Sequence, residues 1–190
     1  VYGTYSEGFR PSGVNRLRPS DPAPKTYDAD YLESMELGFK STMRDGKLIV
    51  NGALYTMDWN NYQTTTYDLD LVAVAFVDNV GNAEVTGLEL NVQYDINDTT
   101  SLTYYFNGVD ATLAEDYFQN QSGTEELYAS AGNRLSDVPE SSHYISLDRD
   151  FYYGKNAGYF NIDYSYTGDR PNDYGAVSYT HLRAHETQRN

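Results

Sequence analysis

At 190 residues the chain is long enough for one domain with a sizeable core, or for a piece of a larger one. Acids outnumber bases 28 to 13, and a formal charge of −15 argues against nucleic acid as a partner, because an acidic surface repels phosphate. The absence of cysteine excludes a disulfide framework and a thiolate metal site. The 20 tyrosines suit surfaces with one wet and one apolar side, such as sheet faces and membrane interface belts. No apolar run approaches the roughly 20 residues of a membrane-spanning helix, so any membrane role falls to strands. The chain opens on Val1-Tyr2-Gly3-Thr4-Tyr5, which already reads as strand with neither Met nor a basic leader. It is expected to be a segment from inside a longer protein.

Residues 1–9 alternate tyrosine with small polar residues and predict a short strand. Residues 10–27 (RPSGVNRLRPSDPAPKTY), rich in Pro, Ser and Gly, predict a long loop. Residues 31–43 resume alternation, with Met35, Leu37 and Phe39 opposite Ser34, Glu36, Gly38 and Lys40. They stop at Arg44-Asp45-Gly46-Lys47, where Asp-Gly is a strong hairpin signal. The return strand over 48–63 has a mixed register: Ala53, Tyr55, Met57 and Trp59 fall on one side, Leu48, Val50 and Leu54 on the other. A second irregular stretch covers 64–81, and within it the apolar Leu71–Val77 run predicts either a strand extension or a folded loop.

The clearest element is NAEVTGLELNVQYDI, residues 82–96. Leu88, Leu90, Val92, Tyr94 and Ile96 fall on one side; Gly87, Glu89, Asn91, Gln93 and Asp95 fall on the other. Two environments fit such a strand: a sheet wetted on one face over a protein core, or a barrel with lipid outside and water inside. After a tight turn at 97–100, residues 101–109 set Leu102, Tyr104 and Phe106 against Thr103, Tyr105 and Asn107. An acidic loop over 110–140 carries Glu115, Asp116, Glu125, Glu126 and Asp137, with short helix expected at 111–118 and 125–131. Residues 143–152 predict a strand and 153–156 a tight turn. Residues 158–168 predict a last strand, with Phe160, Ile162, Tyr164 and Tyr166 against Asn161, Asp163, Ser165 and Thr167.

Tight turns therefore alternate with long loops, and all six prolines lie outside the strands, as ladder hydrogen bonding requires. Short turns on one rim and long loops on the other are the pattern of outer-membrane barrels. Soluble lipocalin-like barrels and sandwiches share the meander but rarely keep such an asymmetry. The predicted fold is all-β: an antiparallel up-and-down meander forming part of a transmembrane β-barrel.

Four segments carry a family resemblance. They are YGTYSEGFRPSGVN at residues 2–15, ESMELGFKS at 33–41, NGALYTMDW at 51–59 and NVGNAEVTGLEL at 79–90. In this order and spacing, over roughly residues 1–170, they resemble the barrel domain of TonB-dependent outer-membrane receptors. The resemblance implies a barrel of about 22 strands, of which this chain supplies about seven. It implies localisation in the bacterial outer membrane and energy-coupled import of a scarce nutrient, a ferric siderophore above all. It also implies as partners the TonB–ExbB–ExbD system, acting through a plug region not in this chain, together with outer-membrane lipid and lipopolysaccharide. A passive porin and a secreted carbohydrate-binding β-sandwich are the alternatives. The stretch 177–190 departs from the pattern: SYTHLRAHET resembles a translated sequencing-adapter read. Residues 1–176 are thus expected to form the barrel portion and 177–190 an artefactual or disordered tail.

Nothing in the chain supports catalysis, a metal site or a cofactor. His181 and His185 have the spacing of a helical metal pair but lie in that tail. The acid pairs Asp28/Asp30, Asp68/Asp70 and Glu115/Asp116 lack calcium-loop spacing, and no serine sits in a nucleophile elbow. Of the 13 basic residues, Arg10, Arg16, Arg18 and Lys25 fall in or at the first long loop. Forked guanidinium donors suit carboxylates, catecholates or phosphates. Arg10, Asn15, Arg16 and Arg18 are therefore the candidate ligand-binding residues. Leu88, Leu90, Val92, Tyr94 and Ile96 are expected to face lipid, Tyr94 near the tight-turn rim. Glu89, Asn91 and Gln93 are expected to face a watery lumen.

Overall fold

The computed structural model describes residues 1–19, 21, 23–68, 74–121, 124–172 and 178–183. Among them there is no helix. In chain order the strands are β1 (Tyr2–Arg10), β2 (Gly13–Val14), β3 (Thr26–Tyr27), β4 (Asp30–Met43), β5 (Leu48–Asn60), β6 (Gln63–Asp68) and β7 (Val74–Asn79). There follow β8 (Ala83–Asn97), β9 (Thr100–Leu113), β10 (Tyr117–Gln121), β11 (Thr124–Ala129), β12 (Ser141–Tyr153), β13 (Asn156–Pro171) and β14 (Ser178–Arg183). Eight of them form one antiparallel sheet in the order β1-β4-β5-β8-β9-β12-β13-β14, a meander in which each long strand pairs with the next. The other six make three small hairpins, β2–β3, β6–β7 and β10–β11, one in each long loop. The sheet is an open arc. A closed barrel needs the strands that a longer chain supplies.

Short helix is expected at 111–118 and 125–131, and the structure corrects this. There β9 runs on to Leu113, and β10 pairs with β11. Tyr117 and Gln119 are buried while Phe118 is exposed, so the period is two. In the second irregular stretch, Val74–Asn79 pairs with β6, while residues 71–73, the start of the apolar run, lie outside the described residues. The return strand ends at Asn60 rather than 63, because Asn61 takes a left-handed φ of 57° and the chain restarts as β6. Ser178–Arg183, inside the expected tail, is paired with β13 as β14. Pairing does not speak to origin, since an open sheet edge accepts any extended segment through its free backbone groups. Pro171, expected outside the strands with the other prolines, is instead the last residue of β13, opposite Ser178; at the end of a strand its missing N–H costs only a terminal ladder bond. Residues 184–190 lie outside the described residues.

Directly opposed residues share a face, so the register sorts the whole sheet. One row reads Phe39, Gly52, Leu90, Phe106, His143, Tyr166; another reads Met43, Leu48, Tyr94, Leu102, Leu147, Ile162. Between them run Ser41, Val50, Val92, Tyr104, Ile145 and Tyr164. The opposite face carries Lys40, Asn51, Asn91, Tyr105, Tyr144 and Ser165. This resolves β5: Leu48, Val50 and Leu54 belong to the apolar face, and Ala53, Tyr55, Met57 and Trp59 to the other. Ile96 falls where the β8–β9 ladder shifts register between Asp95 and Asn97.

The apolar face is bare. Leu37 is 61% exposed, Leu54 57% and Ile162 57%. The buried cluster lies instead at the long-loop end of the other face, where Val80, Ala83, Ala111, Leu113, Tyr117, Ala129 and Leu135 meet with Trp59, Tyr62 and Val85 against them. On that same face two tyrosine rings lie over glycines of the neighbouring strand. A Cβ on Gly38 would stand 2.4 Å from the Tyr2 ring, and one on Gly87 2.1 Å from the Tyr55 ring. Each ring takes the space the missing side chain leaves.

Candidate functional site: the long-loop mouth and the polar trough

Loop 1 (residues 11–29), loop 2 (61–82) and loop 3 (114–140) all leave the sheet at one end. The opposite rim is made of tight turns. At the first, Arg44, Asp45 and Gly46 all take positive φ, and Lys47 N–H donates to the Arg44 carbonyl at 3.1 Å. Arg44 also donates to the Tyr94 hydroxyl at 2.8 Å, placing Tyr94 beside that turn as its position in the strand suggests.

Arg10, at the end of β1, is engaged by the protein. Its Nε donates to both oxygens of Asp30 at 3.1 and 2.9 Å, its Nη2 reaches the same carboxylate, and Nη2 also donates to the Gln63 carbonyl at 2.6 Å. Asp30 is 1% exposed and further accepts from Trp59 Nε1 at 2.9 Å and from the Gln63 N–H at 3.1 Å. The guanidinium carbon stands 4.8 Å from the Trp59 ring centroid and 5.8 Å from that of Tyr62. Salt bridge, donors and rings together pin the start of loop 1 to β4, β5 and β6.

Asn15 is engaged as well. Its amide makes a two-way pair with Val77 of β7, donating to the carbonyl at 2.7 Å and accepting from the N–H at 2.9 Å, and it donates to the Pro24 carbonyl at 2.9 Å. Other amides do the same between loops. Asn79 accepts from the Asp28 N–H at 2.7 Å and donates to the Asn61 carbonyl at 2.8 Å. Gln63 donates to the Asp28 and Pro11 carbonyls at 2.6 and 3.2 Å. Loop 3 joins through Tyr117, whose hydroxyl donates to Asp78 at 2.7 Å. Burial holds the Asp78 carboxyl above the usual carboxylate range, against the opposing pull of the Tyr117 and Asn79 donors. Arg134 closes the far side, with Nη1 3.1 Å from Glu140 and Nη2 donating to the Asp169 carbonyl at 2.8 Å.

Arg16 and Arg18 differ from these. Both are exposed, and among the described residues neither guanidinium has an ion-pair partner, in loop 3 or elsewhere. Lys25, the other cation of the loop, donates to the Arg18 carbonyl at 2.8 Å and to that of Asp21. Of the four candidates, two are built into the loop framework and two are presented on its surface.

Below the mouth the polar face of the sheet forms a trough of about 580 Å³, lined by Tyr2, Lys40, Asn51, Glu89, Asn91, Tyr105, Asn107 and Tyr144 among others. Asn51 approaches Asn91 at 3.4 Å, and the Tyr105 and Tyr144 rings stand 6.0 Å apart. Such a surface sets hydrogen-bond donors and acceptors among a larger area of aromatic and aliphatic carbon, and Phe39, Leu90, Phe106 and Tyr166 line the trough as well. Among the described residues no group of acids and histidines is arranged to hold a metal ion.

The sequence profile of the family described as TonB dependent receptor-like, beta-barrel, matches residues 1–186. Among solved structures the chain is similar to the ferric yersiniabactin uptake receptor FyuA from Yersinia pestis, with a TM-score of 0.68 and 19% identity over 90% of this chain and 24% of that one. It is also similar to the siderophore receptor PiuA from Acinetobacter baumannii, with a TM-score of 0.67 and 17% identity over 94% of this chain and 26% of that one. At such identities the likeness is one of fold. The chain spans about a quarter of the length of these two receptors.

Proposed function

The chain belongs to the family of TonB-dependent receptor β-barrels, and we propose that it is part of a receptor importing a ferric siderophore by energy-coupled transport. The family is one of transport receptors of the Gram-negative outer membrane rather than of enzymes. The observation that carries the reading is the family match across residues 1–186. A ferric yersiniabactin uptake receptor and a siderophore receptor among the structural neighbours support the ligand class. Energy would come from the TonB–ExbB–ExbD system through a plug domain seated against the polar trough.

In this reading Leu88, Leu90, Val92, Tyr94 and Ile96 contact lipid, and Glu89, Asn91 and Gln93 line the lumen. Residues 88–96 lie within β8 (Ala83–Asn97), which is longer than the roughly 9–11 residues that a tilted strand needs to cross the hydrocarbon core. Lipopolysaccharide meets the band at its long-loop edge. Residues 1–176 are the barrel portion, and 177–190 are foreign to it, although the family match runs on to residue 186.

Ligand contact falls to Arg16 and Arg18, the exposed cations of loop 1, with Arg10 and Asn15 as their support. Growth of a receptor-dependent strain on a panel of ferric catecholates and hydroxamates identifies the ligand. Arg16→Ala combined with Arg18→Ala in the full-length receptor is then expected to weaken binding of an anionic complex about tenfold or more, since hydrogen bonds to charged groups contribute roughly 1.5–3 kcal/mol each. Unchanged affinity in a correctly inserted receptor removes the arginines from the site.

A further inference from the structure

Asn15 stands one residue before Arg16 and three before Arg18. Its two-way pairing with Val77 reproduces with a side chain what a neighbouring strand would do with its backbone, so loop 1 is sewn to the edge of the β6–β7 hairpin at that point. From there the connection continues. Asp78, the next residue of β7, accepts from Tyr117 of β10, and Asn79, the one after, holds Asp28 at the far end of loop 1. Three consecutive residues of one strand thus bind both arms of loop 1 and the first strand of the loop 3 hairpin. The Pro24 carbonyl, held by the same Asn15 amide, closes loop 1 on itself, and Asn15 N–H donates to the Lys25 carbonyl at 2.8 Å.

We propose that Asn15 is a positioning residue: its side chain latches loop 1 onto β7, so that the three long loops move as one body and Arg16 and Arg18 are carried at a set place over the mouth. The latch deepens the reading of the two arginines as ligand contacts and rests on it for its functional meaning. Its geometry stands apart from that reading. An independent loop 1 would let the arginines sweep the opening, and ordering them would cost binding free energy each time a ligand arrived. A latched loop has lost that freedom on folding. It also follows that a ligand touching loop 1 alone shifts loops 2 and 3 with it, because β7 belongs to all three contacts.

The test uses the full-length receptor in lipid nanodiscs and needs no ligand. Hydrogen exchange of the Val77 amide is expected to speed up about tenfold or more in Asn15→Ala, while Asn15→Asp, which keeps an acceptor for that amide, shows a smaller rise. Spin labels on Arg18→Cys and Phe118→Cys report the distance between loops 1 and 3. The expected result is one narrow distribution in the parent and a broad one in Asn15→Ala, with the barrel's thermal unfolding unchanged. A residue that merely stabilised the fold would lower the unfolding temperature and leave the distribution narrow. Unchanged Val77 exchange, or a narrow distribution in Asn15→Ala, overturns the proposal. Because these readouts involve no ligand, their failure is distinct from a failure of the Arg16 and Arg18 substitutions to alter affinity.

Discussion

Arg10 and Arg16 are alike in the sequence, two arginines at one loop, and neighbours alone separate their roles. Arg10 meets a nearly inaccessible carboxylate and two aromatic rings; Arg16 meets solvent. Asp78 shows the same dependence on surroundings. Its raised pKa means that the folded mouth binds a proton more tightly than the unfolded chain does. Its contribution to loop packing is therefore most favourable below the ordinary carboxylate range and is lost as pH rises to the raised value. Asp78→Asn keeps an acceptor for Tyr117 and removes the charge. It is expected to raise the protection factors of the Val77 and Asn79 amides at neutral pH and to abolish their pH dependence, measured by hydrogen exchange between pH 4 and 8. None of this is legible beforehand. Asn15, Gln63 and Asn79 look like ordinary loop amides, and only folding shows which backbone each one meets.

At the scale of the element, strict alternation made β8 readable residue by residue, and the same holds for β4, β9 and β13. Where both faces carry large apolar groups, as in β5 with Leu54 beside Tyr55, periodicity cannot choose a side. The ladder to β4 and β8 does so. The β10–β11 hairpin escaped a sequence reading because acids at Glu125 and Glu126 with Leu127 and Ala129 suit a helix equally well. The pairing of β10 with β11 and burial of Tyr117, Gln119 and Ala129 decided otherwise. For β8 the two faces differ in what they tolerate. Leu90→Arg in the full-length receptor is expected to cost about 2–4 kcal/mol at mid-bilayer, and Asn91→Arg far less. Reversible unfolding from lipid vesicles in urea measures both. Equal costs would mean that the apolar face does not meet lipid.

For the molecule as a whole, the large apolar groups that would make a core in a soluble protein stand outward on the sheet, and the buried cluster sits only under the long loops. Two open edges, β1 and β14, carry unpaired backbone groups. A polypeptide of this span alone is expected to aggregate in water and to gain strand structure only with detergent or lipid, followed by light scattering and circular dichroism. A soluble, monomeric, folded product would contradict a membrane barrel.

The meander, the alternation of tight turns with long loops, and the two faces of the clearest strands are all written in the order of residues along the chain. Each of these follows from local rules: period two and the residues that turns require. The tertiary structure alone decided the register of β5, the strand character of loop 3, and which loop residues hold the mouth together. Those outcomes depend on groups far apart in the chain, such as Asn15 with Val77 and Arg10 with Asp30, whose meeting is set by how the sheet brings the loops to one rim.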